Sequence, residues 1–332
     1  MIQDAKGNLY GTASYGGTDD DGVVFKVVPK THTETVLYSF TGSPDGASPD
    51  AGLMEDAKGN LYGTTPYGGS SNCYYGCGVV YEVPKAGGEK VLYNFTGGAD
   101  GAGPYAGLIL DTEGNLYGTT EGGGADGGGA VFELTSKGKE KVLYSFTGSR
   151  GNYPLQGLLA GKGFADLFGS TYGGGAYGNG TVYKLVVKTG KETVLHSFEG
   201  NGMDGANPNS GYLVQDTKGN LYGTTGGNGA YGYGTVFKVN EKTGTETILY
   251  NFIGGSDGGY PEGSVVLDKK GNLYGTTVSG GAYDDGTVFK LTPGGTETVL
   301  HSFDGSDGAY PLAAPLAGRQ RQALWHLQQR RQ

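Results

Sequence analysis

A chain of 332 residues would ordinarily divide into two domains, but glycine fills 69 of its positions and only 17% of its residues are charged. That composition excludes both a charge-rich disordered chain and an ordinary helical domain. The net charge is −9, and the last fourteen residues hold four arginines and no acid, so the rest of the chain is more acidic still. This excludes nucleic acid as the partner, because phosphate binding needs a basic face, and no run of about 18 apolar residues exists to span a membrane.

In chain order, Met1-Ile2-Gln3-Asp4 aligns with Leu53-Met54-Glu55-Asp56, so the sequence is expected to begin inside a repeat, with no signal peptide. Gly7-Asn8-Leu9-Tyr10-Gly11-Thr12 follows and recurs at 59–64, 114–119, 219–224 and 271–276, with a worn copy at 165–170. Its central residues, Leu9, Leu61, Leu116, Leu167, Leu221 and Leu273, lie 52, 55, 51, 54 and 52 residues apart and define six units. Each unit holds four short segments rich in β-branched and aromatic residues, separated by Gly, Pro, Asp and Asn. In the sixth these are 263–268, 272–277, 287–291 and 297–303.

Short links between the segments predict antiparallel neighbours. In the segment 35–40, Val36, Tyr38 and Phe40 alternate with Leu37, so no face of the sheet is expected to be plainly wet. The glycine recurring inside the second segment marks a close approach, expected to come from the neighbouring sheet. A period near 52 with four strands per unit predicts an all-β fold: a β-propeller of four-stranded antiparallel blades, six in number, or seven if the truncated last repeat is completed. Residues 1–318 are accordingly read as one propeller of six repeats plus the first strand of a seventh.

Leu-Tyr-Gly-Thr-Thr, the Gly-Gly after it, 286–291 (Gly-Thr-Val-Phe-Lys-Leu), 298–303 (Thr-Val-Leu-His-Ser-Phe) and Asp-Gly-x-x-Pro at 307–311 together resemble the Gloeo/Verruco, or GloVer, repeat family. The resemblance runs from residue 1 to about 318. It implies an exported bacterial repeat protein, hence an extracellular or cell-surface location, and implies no established activity. Some members carry a C-terminal sorting anchor, and none is visible in this sequence.

After residue 318 the composition changes to a basic tail, 319–332. Regrouping the codons of 323–327 by one frame permits Leu-Tyr-Gly-Thr, so the tail is expected to be a seventh repeat read out of frame.

Candidate site residues lie in the loops. The Asp-Gly between units supplies Asp45, Asp100, Asp204, Asp257 and Asp307, with Arg150 in the remaining slot. Asp-Gly followed by Pro is turn chemistry, and Ca²⁺ is the one cofactor these carboxylates would suit. Tyr15, Tyr67, Tyr172, Tyr177, Tyr231 and Tyr283 stand among Gly and Asn in the long loops, as do Tyr74, Tyr75 and Tyr233. Such residues offer flat apolar area with a hydroxyl handle, which suits glycan or protein recognition. Cys73 and Cys77, the only cysteines, lie in one loop and make a disulfide pair if the protein is exported.

No catalytic motif and no metal-ligand spacing is present, and His196 and His301 fill slots held by tyrosine in other units. The departures from the common text are 163–166, Arg150, Glu121 and Glu262. The expected function is a non-enzymatic extracellular module for binding or scaffolding. The alternatives are a glycan-active hydrolase or lyase at the central mouth and a structural subunit of a surface array.

Overall fold

The computed structural model describes residues 1–202, 204–208 and 211–312. The fold is all-β: six four-stranded antiparallel sheets, one for each repeat, are the blades of a β-propeller. Strand order within every blade follows the chain. The second strands are Leu9–Ala13, Leu61–Thr65, Leu116–Thr120, Asp166–Thr171, Asn220–Thr225 and Leu273–Thr277, so the repeated motif is the second strand of its blade throughout. The residues fall into two compact units, one of Met1–Thr147, Tyr153–Ala165 and Val187–Lys191, the other of Gly148–Asn152, Asp166–Val186 and Glu192 onward. The expected first strand of a seventh repeat runs past Leu312, out of the described residues, and the tail 319–332 lies wholly outside them.

Each residue of the motif has a separate task. In the second blade Asp56 closes the turn ahead of it: one oxygen accepts the Lys58 and Asn60 amides at 2.8 and 2.9 Å, the other accepts Asn60 Nδ2 at 2.9 Å and the Tyr62 hydroxyl at 3.2 Å. Asp4, Asp111, Asp216 and Asp268 repeat this arrangement. Leu61 enters the core. Thr64 Oγ1 donates to the Ala106 carbonyl at 2.9 Å, tying the strand to the segment that enters the next blade, and Thr65 Oγ1 donates to Tyr67 O in its own loop.

The glycine serves its own blade. Gly63 lies directly across from Tyr81 on the third strand, and a Cβ on it would stand 2.3 Å from the tyrosine oxygen. Gly118 and Phe132, and Gly223 and Phe237, stand in the same relation. The expectation that a neighbouring sheet fills this space is therefore corrected: the occupant is the cross-strand ring, which covers the glycine and gains a flat backbone seat. Adjacent blades then meet on that ring. Phe40 packs edge-on against Tyr81 at 4.9 Å, Phe95 against Phe132 at 5.2 Å, Phe198 against Phe237 and Phe252 against Phe289 at 5.1 Å, all fully buried. Each buried ring contributes about 1.5–3 kcal/mol by burial and each edge-on pair about 0.5–1.5 kcal/mol more.

Two further expectations change. The first strand of the sixth blade is Val266–Leu267 rather than 263–268, because Pro261 and Gly263 give their carbonyls to Thr224 Oγ1 of the preceding blade, not to a ladder. Burial on both faces holds for the second and third strands and fails in two of the fourth strands, where Val36 of the first blade and Leu300 of the sixth are half exposed, while Leu143, at Leu300's place in the third blade, is buried. The fourth strand also carries a bulge: Val24 pairs with Tyr38 and Phe25 with Val36, leaving Leu37 extra, and the same slip occurs in the second, third, fifth and sixth blades. The extra residue breaks the alternation and re-aims the side chain beside it toward the interblade connection.

Candidate functional site

That re-aimed side chain builds the junctions between blades. Tyr38 donates its hydroxyl to Asp45, whose carboxylate also accepts Thr41 Oγ1 at 2.8 Å and the Thr41 amide. Asp100 takes Tyr93 at 3.1 Å and the Thr96 amide at 2.8 Å, and Asp257 takes Tyr250 at 2.9 Å and the Ile253 amide at 3.0 Å. At Asp204 and Asp307 the partner is an imidazole, His196 Nε2 at 3.1 Å and His301 Nε2 at 2.7 Å. The five Asp-Gly carboxylates thus sit one to a junction, each capping the start of its connection.

A second carboxylate joins the junction, contributed from the start of the fourth strand of the following blade or the residue just ahead of it. Burial first, then the charge of Asp45, pushes Glu89 up to about 7; Glu140 beside Asp100 and Glu297 beside Asp257 are raised to about 7 for the same two reasons. One oxygen of each, Oε1, is buried without a hydrogen-bond partner, as is Asp257 Oδ1. A proton on the glutamate relieves the repulsion and supplies a donor to the pair. Where Arg150 replaces the aspartate, the guanidinium takes the glutamate directly: Arg150 Nε lies 2.6 Å from Glu192, whose side chain is fully buried.

These glutamates were missed by motif reading, although the signal was present. Glu34, Glu89, Glu140, Glu192, Glu246 and Glu297 recur at one place in the unit, ahead of the Val-Leu or Ile-Leu of the fourth strand. Exposed-looking Glu beside Lys and Thr reads as solvated edge, and only packing against the connection from the preceding blade reveals the burial.

The departure at 163–166 is a coherent exchange. Lys162 stands where other units have the turn aspartate, Asp166 where they have asparagine and Phe168 where they have tyrosine, so the carboxylate and the hydroxyl it would receive vanish together. A short 3₁₀ turn, Lys162–Phe164, replaces the Asp-closed turn, and Asp166 pairs with Lys184 at 2.7 Å. In the intact copies burial alone would raise Asp56, but donors from Asn60, Lys58 and Tyr62 outweigh it and hold the carboxyl below its ordinary value. Burial raises Glu121.

The tyrosines separate into two groups. Tyr15, Tyr172, Tyr177, Tyr231 and Tyr283 are exposed on the long loops of four blades, Tyr172 and Tyr177 sharing the loop of the fourth. Tyr67 is half-buried within a cluster, its ring edge-on to Tyr75 and Tyr105 at 5.9 Å, with the Tyr105 hydroxyl donating to Tyr67 Oη at 2.5 Å. Tyr75 in turn meets Tyr74 edge-on at 4.6 Å, and Tyr74 is 92% exposed. Cys73 and Cys77 are joined by a disulfide that bounds this loop.

Beneath the loop lies a cleft of about 320 Å³, lined by Asp21, Ser43, Ser70, Ser71, Tyr74 and Tyr75 with the glycines between them. Its floor is bare backbone: a Cβ on Gly68 would stand 2.0 Å from Gly42 O, and one on Gly76 would stand 2.1 Å from Gly68 O. Three loop layers stack only because these positions carry no side chain. Burial, then Asp19, Asp45 and Asp20, raise the Asp21 carboxyl at the rim.

The molecule is therefore a repeat propeller whose junctions and loop edge carry its polar chemistry. Its sequence matches the model of the Gloeobacter/Verrucomicrobia repeat over residues 1–165 and again over 160–328, and the chain belongs to that family. No curated protein matches it. Among solved structures it is similar to a protein from Bacteroides uniformis described as a candidate 6-phosphogluconolactonase, with TM-score 0.56, 15% identity, and 92% of this chain and 84% of that chain covered. It is also similar to a chain of a nidogen/laminin complex, with TM-score 0.52, 13% identity and coverage of 89% and 93%. A third is a gluconolactonase from Xanthomonas campestris, with TM-score 0.50, 16% identity and coverage of 81% and 79%. At these identities the likeness is one of fold. Among the described residues no helix is long and apolar enough to cross a membrane.

Proposed function

We propose that this propeller is a non-enzymatic recognition module of the cell exterior, and that its disulfide-bounded loop binds a neutral glycan. The observation that carries this reading is the exposed pair Tyr74 and Tyr75 standing over the cleft, in a loop bounded by Cys73 and Cys77. Two edge-on rings of fixed relative angle present an apolar face to the C–H face of a sugar, and each has a hydroxyl at its rim. Ser43, Ser70, Ser71 and the glycine backbone supply donors and acceptors beneath, which suits a hydroxyl-rich ligand better than an apolar one. The disulfide supports an oxidising location. Asp21, beside Asp19, Asp20 and Asp45, makes the rim acidic, which favours a neutral ligand over an anionic one.

Binding of neutral and acidic polysaccharides, measured by affinity electrophoresis and calorimetry, tests the reading. Tyr74→Ala with Tyr75→Ala is expected to weaken binding at least about tenfold, since each stacked ring is worth about 1 kcal/mol or more, and to leave the melting temperature nearly unchanged. Binding untouched by the double substitution would reject the loop as the site.

A further inference from the structure

One junction differs from all others in a way that turn chemistry does not require. His196 lies at the end of the fourth strand Lys191–Ser197, Asp204 in the connection that follows, and Glu246 at the start of the fourth strand Glu246–Asn251 of the next blade. Each of the three offers one ligand atom, and these atoms all lie within 4.8 Å of one another. Among the described residues this is the only such group of three.

We propose that His196, Asp204 and Glu246 bind a single divalent transition-metal ion of the zinc class. The imidazole decides the chemistry. At the junctions of Tyr38, Tyr93 and Tyr250 the same two carboxylates meet a phenol, which donates a hydrogen bond and is a poor ligand for zinc when protonated. His196 brings a neutral nitrogen with a lone pair to that position, giving one nitrogen and two oxygens, which suits zinc, cobalt or nickel. Calcium is disfavoured, since it takes six to eight oxygens.

The site is partly pre-built. His196 Nε2 already lies 3.1 Å from Asp204 Oδ2, close to the roughly 3.3 Å that two ligands of a tetrahedral zinc ion keep between them. The imidazole is fixed edge-on against Phe198 at 4.8 Å. Asp204 is oriented by the amides of Glu199 at 2.9 Å and Gly205 at 2.7 Å, the outer support that metal ligands need. Glu246 Oε1 is buried with no hydrogen-bond partner. A cation satisfies that oxygen, and a modest swing of the glutamate completes three ligands, with solvent as the fourth. At the remaining histidine junction His301 and Asp307 are both exposed, and no third carboxylate joins them among the described residues.

The repeat supplies its own controls. The full chain, stripped with chelator, is titrated with Zn²⁺ alone by calorimetry and with Co²⁺ alone by visible absorption. Wild type is expected to take one equivalent of Zn²⁺ and to develop the cobalt bands of a site of low coordination number. His196→Tyr, which restores the side chain used at three other junctions, is expected to fold and to lose at least about tenfold in affinity, since even a partner one step removed from the metal costs about that much. Tyr250→His, which builds the same three groups with Asp257 and Glu297, is expected to gain a second equivalent. Equal Zn²⁺ binding by wild type and His196→Tyr, or none by wild type, overturns the proposal. Should His196→Tyr fail to fold by circular dichroism, Glu246→Gln takes its place under the same criteria.

Discussion

The junctions at Asp100 and at Arg150 occupy equivalent places in successive repeats and treat their buried glutamate in opposite ways. Asp100 sets a second carboxylate against Glu140, which is raised to about 7, whereas Arg150 sets a guanidinium 2.6 Å from Glu192. The backbone frame is the same and the glutamate is retained, so the fold tolerates either a protonated acid or an ion pair there. It does not tolerate a bare buried charge, because removing a carboxylate from water costs far more than a junction contributes.

The largest effect comes from breaking the ion pair. Arg150→Ala leaves the buried Glu192 carboxylate without its guanidinium and is expected to cost about 2–3 kcal/mol in denaturant unfolding, part of the buried pair being recovered by water at the half-exposed arginine. Arg150→Asp sharpens the contrast, since it recreates the acid pair of Asp100 and Glu140. Its loss is expected to be smaller, and smaller at about pH 5.5 than at about pH 8, because the glutamate can take up a proton. Equal losses at both pH values would show that Glu192 does not behave as its counterparts do.

The weakest effect concerns the acid pairs themselves. Glu89, Glu140 and Glu297 are raised from 4.5 to about 7, so the folded chain holds protons that the unfolded chain has released. Their contribution is fully present below about 4.5 and is lost as pH rises through about 7, so the melting temperature should fall across that window. Replacing all three by Gln, which keeps a donor without the titration, is expected to flatten this dependence while changing stability by about 1 kcal/mol or less per site at pH 5. An unaltered pH profile in the triple variant would assign the dependence elsewhere.

Much of this architecture is legible in one dimension because a repeat exposes its own period. The spacing of Leu9, Leu61 and their counterparts yields six blades, and the strand pattern yields their order. The tasks of Gly63 and Leu37 are not legible. Which ring fills the space over a strand glycine depends on cross-strand register, and a bulge leaves no mark in a pattern that still alternates. The same limit hid the glutamates of the junctions, whose burial is imposed by a connection some forty residues earlier in the chain.

By itself the amino-acid sequence determined the repeat, the strands, the turn carboxylates and the tyrosine-bearing loops, since each depends on neighbours within one unit. Tertiary structure alone decided which carboxylates became paired, which tyrosines clustered at Tyr67 and Tyr75, and that His196, Asp204 and Glu246 converge. Those outcomes arise where consecutive blades pack. Desolvation and charge there are shared between units that the sequence writes far apart.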